Sequence, residues 1–223
     1  MNLYALIVAG GVGKRMGTEV PKQFLEVEGK PLLMHTISRF RAFDESIEII
    51  TVLPANQLNY WKGLCKQKSF SIPHRLVEGG SSRFLSVKNG LRHVEENSIV
   101  AIHDGVRPLV SIPTIKRCFK AAKKFGNAVP VIISADSLRM INEQGSVPLD
   151  RKLVKIIQTP QVFKSDLIKK AYRQKYSAEF TDDATVLEKT GEKIHLVEGN
   201  RENIKITNPV DLIIAAALLH SIS

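Results

Sequence analysis

Short apolar runs alternate with helical patterns along almost the whole chain, and this alternation constrains the fold more than any other feature. The apolar runs predict strands at 4–9, 47–53, 99–102, 128–133, 193–197 and 203–206. The helical patterns predict helices at 31–43, 82–95, 113–124, 165–175 and 182–190, and a last helix beginning at Pro209. This order is typical of an α/β fold with a doubly wound, mostly parallel sheet and helices on both faces. We predict one domain over residues 1–223.

Three positions suited to ligand contact come after apolar runs, namely Gly10, Gly80 and Asp104. Ligands of doubly wound sheets bind beyond the carboxyl ends of the strands. We therefore expect these residues to meet at one edge of the sheet. His103, beside Asp104, is interpreted as a structural partner at the end of its strand.

One segment, from Ser134 to Ile156, interrupts the alternation. It is polar, contains Gly145 and Pro148, and offers few residues for a core. It is predicted to be either a loop or a hairpin arm that packs against something else. The second possibility favours a homodimer, since a two-fold dimer is the commonest closed assembly.

The charge of the chain favours small polyanions as ligands. Its 32 Lys and Arg against 22 Asp and Glu give a net charge of +10. A tract of five or six basic residues and an aromatic-rich RNA-binding signature are both absent from the sequence, so nucleic acid is not an expected partner. Neither a membrane span nor a signal peptide is recognisable. The two cysteines, Cys65 and Cys118, have no metal-ligand spacing and are expected to be free thiols of a cytoplasmic protein.

A glycine-rich loop follows the first predicted strand, in the order Gly10-Gly11-Val12-Gly13-Lys14-Arg15. Glycines let backbone amides approach a ligand closely, and the two cations suit phosphate. The loop is not a P-loop, because Val8 stands at the first required glycine and Arg15 at the required Ser or Thr. It is not a dinucleotide fingerprint either, because Met16 replaces the third glycine. A plain strand-to-loop turn is the alternative interpretation.

A longer set of motifs spans nearly the whole chain. Its members are Ala9-Gly10-Gly11-x-Gly13-x-Arg15-Met16, Pro21-Lys22-Gln23-Phe24-Leu25, Gly79-Gly80-Ser81-Ser82-Arg83, His103-Asp104-Gly105-Val106-Arg107-Pro108, Gln158-Thr159-Pro160-Gln161, Thr181-Asp182-Asp183-Ala184, Val197-Glu198-Gly199 and Asn203-Ile204-Lys205-Ile206-Thr207. The set resembles the sugar nucleotidyltransferases. The element Pro21-Lys22-Gln23 is similar to their polyol-phosphate cytidylyltransferase branch.

The resemblance implies a Rossmann-like nucleotidyltransferase fold and the transfer of CMP from CTP to a small polyol phosphate, with release of pyrophosphate. Mg²⁺ or another divalent cation is the implied cofactor. The motifs of the second half favour 2-C-methyl-D-erythritol 4-phosphate, of the non-mevalonate isoprenoid pathway, as acceptor over ribitol 5-phosphate. A ribitol-phosphate enzyme remains an alternative, and a non-catalytic nucleotide- or RNA-binding protein is a more distant one.

The resemblance also implies roles for individual residues. It places Arg15, Lys22, Lys205 and Asp104 in catalysis, with Asp104 on the side of the metal. It implies that the nucleotide contacts Ala9, Gly10, Gly11, Gly80, Ser81 and Ser86. The implied contacts of the second substrate are Arg107, Ser137, Arg151, Thr159, Thr181 and Thr207, of which Ser137 and Arg151 reach the neighbouring subunit's site from the arm at 134–156. The chain departs from the family pattern at Ser81, where Asp is frequent; a serine is the weaker acceptor for a cytosine amine. Thr181 and Thr207 also have an alternative interpretation as helix caps.

Overall fold

The computed structural model describes residues 1–10 and 20–222, with side chains up to residue 219. Twelve strands are present among these residues: β1 (Leu3–Val8), β2 (Glu26–Val27), β3 (Lys30–Pro31), β4 (Glu48–Leu53), β5 (Arg75–Glu78), β6 (Ile99–Asp104), β7 (Asn127–Ile133), β8 (Leu138–Asn142), β9 (Gly145–Leu149), β10 (Lys155–Ile157), β11 (Gln161–Lys164) and β12 (Leu196–Glu198). The α-helices of the same residues are α1 (Leu32–Phe43), α2 (Leu58–Gln67), α3 (Arg83–Leu91), α4 (Ile112–Phe125), α5 (Ser165–Ala171), α6 (Asp183–Glu188) and α7 (Pro209–Ile222).

Eight of the strands form a central, mostly parallel sheet. Its order is β10-β7-β11-β6-β1-β4-β5, and β12 pairs with β7. The pairs β6–β1, β1–β4, β4–β5 and β12–β7 are parallel, whereas β11 runs antiparallel to both β6 and β7. The prediction of a mostly parallel α/β sheet is confirmed.

Helices cover both faces of the sheet, because its inner strands are apolar on both sides. Side chains alternate between the faces: in β4, Ile49 packs in the cluster that contains α1, α2 and α4, while Ile50 packs in the cluster that contains α3, α5 and α6. Trp61 on the first side and Phe163 on the second are fully buried. The sheet edge that carries the site is thus held from both faces.

The segment that interrupts the alternation is a two-stranded hairpin, in which β8 pairs with β9 outside the central sheet. All ten residues of the two strands are exposed or half-buried. The predicted hairpin form is therefore present. Its predicted boundary at Ile156 lies inside β10, whose residues Lys155 to Ile157 pair with β7.

One predicted strand is absent, because residues 203–206 are not in a strand of the described chain. The Ile206 amide donates to the Val106 carbonyl at 3.0 Å. The Asn203 carbonyl accepts from the Arg107 side chain at 2.9 Å instead of from a strand. Isolated hydrogen bonds, one between backbone groups and one from a side chain, thus take the place of a strand ladder here, and the apolar alternation reflects packing against α7 and β2.

None of the helices in the described part of the chain is long and apolar enough to cross a membrane.

Candidate active site

Loops after three parallel strands surround one cavity of about 240 Å³ at the carboxyl edge of the sheet. Val8, Ala9 and Gly10 follow or end β1, Gly80 follows β5, and Asp104 ends β6. The cavity is lined by Val8, Ala9, Gly10, Lys22, Gln23, Gly80, Ser81, Ser82, Arg83, Ser86, Asp104, Val106 and Lys205. Since β1, β5 and β6 run in one direction, their ends meet here, as the sequence predicts for Gly10, Gly80 and Asp104.

The loop before α3 has a closely fixed shape. The Ser82 hydroxyl caps the helix by accepting from the Leu85 amide at 3.2 Å. The Ser86 hydroxyl accepts from the Gly80 amide at 3.1 Å and donates to the Ser82 carbonyl at 2.8 Å. A Cβ atom at Gly80 would lie 2.4 Å from Cβ of Leu85, so only glycine allows the loop to lie this close to the helix. Ser86 therefore holds the loop from behind and is itself buried.

Asp104 is the electrostatic centre of the site. Its Oδ2 lies 3.1 Å from Arg107 Nε and 3.0 Å from Lys205 Nζ, and its Oδ1 lies 3.6 Å from Arg83 Nε. Burial acts to raise the pKa of this carboxyl, but the positive charges of Arg83, Lys205 and Arg107 outweigh it and hold the pKa well below its usual range. Asp104 is therefore a permanent anion between three cations.

A second ion pair fixes Arg83. Its Nη1 and Nη2 atoms donate to the two carboxylate oxygens of Asp183 at 2.9 and 2.7 Å. Tyr172 donates to Asp183 Oδ1 at 2.6 Å, and Asp183 is fully buried. Burial acts to lower the pKa of Arg83, but the charges of Asp183 and Asp104 raise it overall, so the guanidinium stays charged.

A second cavity, of about 280 Å³, adjoins the first across this cluster. It is lined by Arg83, Asp104, Arg107, Ile157, Gln158, Thr159, Gln161, Thr181, Asp182 and Lys205. Three residues, Arg83, Asp104 and Lys205, line both cavities. Ligands in the two cavities would meet at these three side chains.

Polar contacts behind the second cavity position its wall. The Thr159 hydroxyl accepts from the Asp104 amide at 3.1 Å and lies 3.0 Å from His103 Nδ1. His103 is buried, and burial lowers its pKa to about 4, which keeps the ring neutral and agrees with its interpretation as a structural partner. Gln161 donates to Asp182 at 2.7 Å and accepts from the Ala184 amide at 2.8 Å, which ties the start of α6 to β11.

The predicted site residues are distributed as follows. Ala9, Gly10, Lys22, Gly80, Ser81, Ser86, Asp104 and Lys205 line the first cavity, and Arg107, Thr159 and Thr181 line the second. Gly11 and Arg15 lie outside the described residues. Ser137 and Arg151 are exposed, and Arg151 donates to the Ala135 carbonyl at 2.9 Å. The Thr207 hydroxyl donates to the Asp211 carboxylate in the first turn of α7 at 3.0 Å, so in this contact it is a donor and not the acceptor that a capping residue provides. These last three residues line neither cavity as the single chain is described.

Two residues of the site were not predicted from the sequence, namely Arg83 and Asp183. Both belong to motifs of the sequence, Gly79-Gly80-Ser81-Ser82-Arg83 and Thr181-Asp182-Asp183-Ala184, but the sequence analysis predicts no role for either of them at the site. Each occupies the first position of a helix that follows a capping residue, Ser82 for α3 and Asp182 for α6. The position at a helix start is the feature of the sequence that could have indicated a site residue. The contact between two residues 100 positions apart is visible only in the fold.

The residues can support a divalent cation, although within 1–10 and 20–222 no three His, Cys, Asp or Glu side chains form a metal cluster. Mg²⁺ keeps several waters and typically uses one or two carboxylates together with substrate phosphates. Asp104 fits this mode, because it is a carboxylate that lines both cavities and its Oδ1 is approached by Arg83 Nε at 3.6 Å, a longer contact than those made by Oδ2.

The doubly wound sheet, its glycine-lined cavity and the cations beside it define a nucleotidyltransferase. Residues 3–221 match the family model described as 2-C-methyl-D-erythritol 4-phosphate cytidylyltransferase. The chain belongs to this family.

Individual relatives agree with the family match. The enzyme of that name from Bacteroides thetaiotaomicron is 49% identical over 219 residues, covering 98% of this chain and 100% of the relative. Its counterpart from Bacteroides fragilis is 53% identical over 215 residues, covering 96% and 98%. The crystal structure of 4-diphosphocytidyl-2C-methyl-D-erythritol synthase from Anaerococcus prevotii superposes with a TM-score of 0.83 at 31% identity, covering 98% of this chain and 96% of the other.

Proposed function

We propose that this chain transfers CMP from CTP to 2-C-methyl-D-erythritol 4-phosphate and releases pyrophosphate. The observation that carries the proposal is the shared wall of the two cavities, formed by Arg83, Asp104 and Lys205. A nucleotide in the first cavity and a phosphate in the second would meet at a cluster with net positive charge. This arrangement suits a reaction in which two anions must approach each other.

The chemistry needs positioning and positive charge more than a general base. The acceptor phosphate is already ionised, and its oxygen attacks the α-phosphorus of CTP while the bond to the pyrophosphate leaving group breaks. Negative charge grows on the bridging oxygens, where preorganised cations stabilise it. Lys22 and Lys205 line the nucleotide cavity, and Arg107 lines the acceptor cavity.

Lys205 is suited to move during substrate binding. Its side chain is 42% exposed, whereas that of Asp104, its partner, is 10% exposed. A phosphate can therefore draw the Lys205 ammonium away from Asp104, because the Lys205 side chain is already partly in contact with solvent. Arg107 is less free to move, since its side chain is 12% exposed and also donates to the Asn203 carbonyl at 2.9 Å.

Asp104 would hold Mg²⁺ together with the triphosphate. When bound, the cation neutralises phosphate charge and fixes the geometry of the α-phosphorus. Asp183 is not available for this role, because Arg83 and Tyr172 occupy its oxygens. Both substrates are water-soluble anions, and we place the reaction in the cytoplasm.

We also propose that the enzyme is a homodimer in which the arm, residues 134–156, reaches the partner's acceptor cavity. The single chain leaves large apolar side chains of the arm exposed: Met140, Ile141, Val147, Leu149, Leu153 and Ile156. Met140 and Val147 lie directly opposite each other in the hairpin, and exposed apolar side chains placed together in this way are typical of an interaction surface. Docking of the arm would place Ser137 and Arg151 at the site, and the planar fork of Arg151 suits a phosphate.

The substrate is tested by measuring pyrophosphate release from CTP and Mg²⁺ with each acceptor in turn. We expect a higher kcat/KM with 2-C-methyl-D-erythritol 4-phosphate than with ribitol 5-phosphate. A ratio in favour of ribitol 5-phosphate would assign the enzyme to the other acceptor. Absence of pyrophosphate release with both acceptors, despite CTP binding, would favour a non-catalytic nucleotide-binding protein.

The shared site is tested by mixing inactive Lys22→Ala chains with inactive Arg151→Ala chains. If the arm serves the partner, subunit exchange creates one cavity with both residues intact, and part of the activity returns. The control is each variant after the same treatment alone. A monomer by light scattering at assay concentration, or no recovery after verified exchange, would rule the shared site out.

A further inference from the structure

An ion pair joins the half-buried Arg83 to the fully buried Asp183. Asp183 is fully buried and receives three hydrogen bonds, two from Arg83 and one from Tyr172. Replacing a buried ion pair by apolar residues of similar volume is often neutral or stabilising, so such a pair is weak support for a purely structural role. The position of the Arg83–Asp183 pair beside the site therefore calls for a role other than stabilising the fold.

The free edge of the same guanidinium faces the reaction site. Arg83 Nε lies 3.6 Å from Asp104 Oδ1, on the opposite side of the carboxylate from Arg107 and Lys205, which both contact Oδ2. Arg83 also lines both cavities. Both oxygens of Asp104 thus have cationic neighbours: Arg83 at Oδ1, and Arg107 and Lys205 at Oδ2.

The two kinds of cation at Asp104 differ in their freedom to move. The two side chains are similarly exposed, Lys205 at 42% and Arg83 at 31%, but Arg83 is held by two hydrogen bonds to the Asp183 carboxylate. If Arg83 turned away, the buried Asp183 carboxylate would lose its charged partner and keep the hydrogen bond from Tyr172, and a buried charge without a counter-charge is costly. Arg83 is therefore the fixed cation, and Lys205 is the movable one.

The helices that carry the pair are themselves anchored. Arg83 begins α3 after the Ser82 cap, and Asp183 begins α6 after the capping box formed by Asp182 and Thr185. Gln161 in β11 binds both Asp182 and the Ala184 amide. The orientation of Arg83 is thus set by α3, α6 and the central sheet together.

We propose that Arg83 is a positioning residue of the transferase: Asp183 and Tyr172 hold its guanidinium, and it keeps the Asp104 carboxylate oriented when Lys205 turns to the phosphates. This inference rests on the function proposed above. It gives the acidic residue Asp183 a role in the reaction through Arg83, at a distance from the reacting atoms.

The experiment replaces the pair by neutral residues of similar shape, in the double variant Arg83→Gln/Asp183→Asn. This variant leaves no unpaired buried charge, so we expect it to fold and to be more stable in urea than Asp183→Asn alone. We expect its kcat to fall by a factor on the order of 10 to 100, as for small misplacements of catalytic groups. The KM for CTP should change less than kcat. The control is Glu179→Gln, which removes an exposed 3.2 Å ion pair to Lys189 at the other end of α6 and should leave kcat unchanged.

A cycle with Asp104→Asn distinguishes positioning from general structural support. If Arg83 acts through Asp104, neutralising the pair in the Asp104→Asn background should lower kcat further by less than about two-fold, since coupled residues are non-additive. The proposal would be overturned if the loss of kcat from Arg83→Gln/Asp183→Asn and the loss from Asp104→Asn multiplied in the combined variant. A wild-type kcat for Arg83→Gln/Asp183→Asn would overturn it as well. Wild-type enzyme without pyrophosphate release would instead overturn the proposed function and this inference together. Wild-type activity with an equally active double variant overturns the role of Arg83 alone.

Discussion

Gly80 offers a sharp test of whether the loop before α3 shapes the nucleotide cavity. An alanine Cβ at this position would lie 2.4 Å from Cβ of Leu85, 3.1 Å from its carbonyl carbon and 3.3 Å from its Cα. Carbon atoms prefer separations of about 3.5–4.0 Å, so the loop must retreat from the helix by roughly 1 Å. The obstacle is the first turn of α3 rather than the end of a flexible side chain, and it cannot easily give way.

The retreat has two calculable consequences. It stretches the 3.1 Å hydrogen bond from the Gly80 amide to Ser86, and loss of such a bond costs about 1 kcal/mol. Overpacking costs about 1–3 kcal/mol in addition. We therefore expect Gly80→Ala to lower the free energy of unfolding by about 2–4 kcal/mol. A 1 Å displacement of the cavity wall should lower kcat/KM for CTP by about 10²-fold.

Gly10→Ala is the matched control, because it adds the same methyl group to the same cavity. Its Cβ would lie 3.9 Å from Ser86 Oγ, an ordinary contact. Urea denaturation should show Gly10→Ala close to wild type and Gly80→Ala destabilised, and pyrophosphate release should show Gly80→Ala as the more impaired of the two. Equal behaviour of the two variants in both assays would refute the reasoning from the close approach of Gly80.

Further predictions concern charge, metal and pH. Lys22→Ala should lower kcat by roughly 10²-fold, because charge grows on the phosphates during attack; an unchanged kcat with a raised KM would make Lys22 a plain binding residue. Asp104→Asn should retain its far-UV circular dichroism but need more Mg²⁺ for half-maximal rate, and wild-type rates at limiting Mg²⁺ would contradict this. His74 accepts from Trp61 Nε1 at 2.9 Å and lies 2.7 Å from the Ile72 carbonyl, so the neutral ring is favoured and burial lowers its pKa. Because the unfolded chain then binds more protons below about pH 6.5, unfolding free energy should fall as the pH drops from 7.5 to 5.5. His74→Gln should reduce that fall, and an equal fall in both proteins would exclude this residue as a source.

The sequence predicts the parts of this fold that depend on local pattern. The long buried strands, the helices other than α2 and the meeting of Gly10, Gly80 and Asp104 follow from periodicity and the parallel arrangement, whereas α2 (Leu58–Gln67) was not predicted. Strand β11 was not predicted, because it has four residues and begins with Gln161, whose buried amide binds the start of α6. Its antiparallel place between β6 and β7 also depends on distant pairing.

In the site, too, residues within a motif are predictable from the sequence, whereas contacts between residues far apart in the chain are not. The sequence motifs predict Lys22, Asp104 and Lys205 as site residues, and these side chains line one cavity. The roles of Arg83 and Asp183 could not be read from spacing, since their contact joins two helix starts across the sheet edge. Arg151 lines neither cavity of the single chain, and its proposed place in a partner's cavity cannot be predicted from local sequence pattern.

In the proposed reaction an acceptor phosphate attacks the α-phosphorus of CTP at the shared wall of the two cavities. Phosphorus NMR of the reaction with 2-C-methyl-D-erythritol 4-phosphate tests this most directly, because it observes the bond that forms. We expect two mutually coupled phosphorus signals of a new diphosphate, together with one equivalent of pyrophosphate. Accumulation of CMP with an unchanged acceptor phosphate would show that water is the nucleophile and would contradict the proposed attack by the acceptor phosphate.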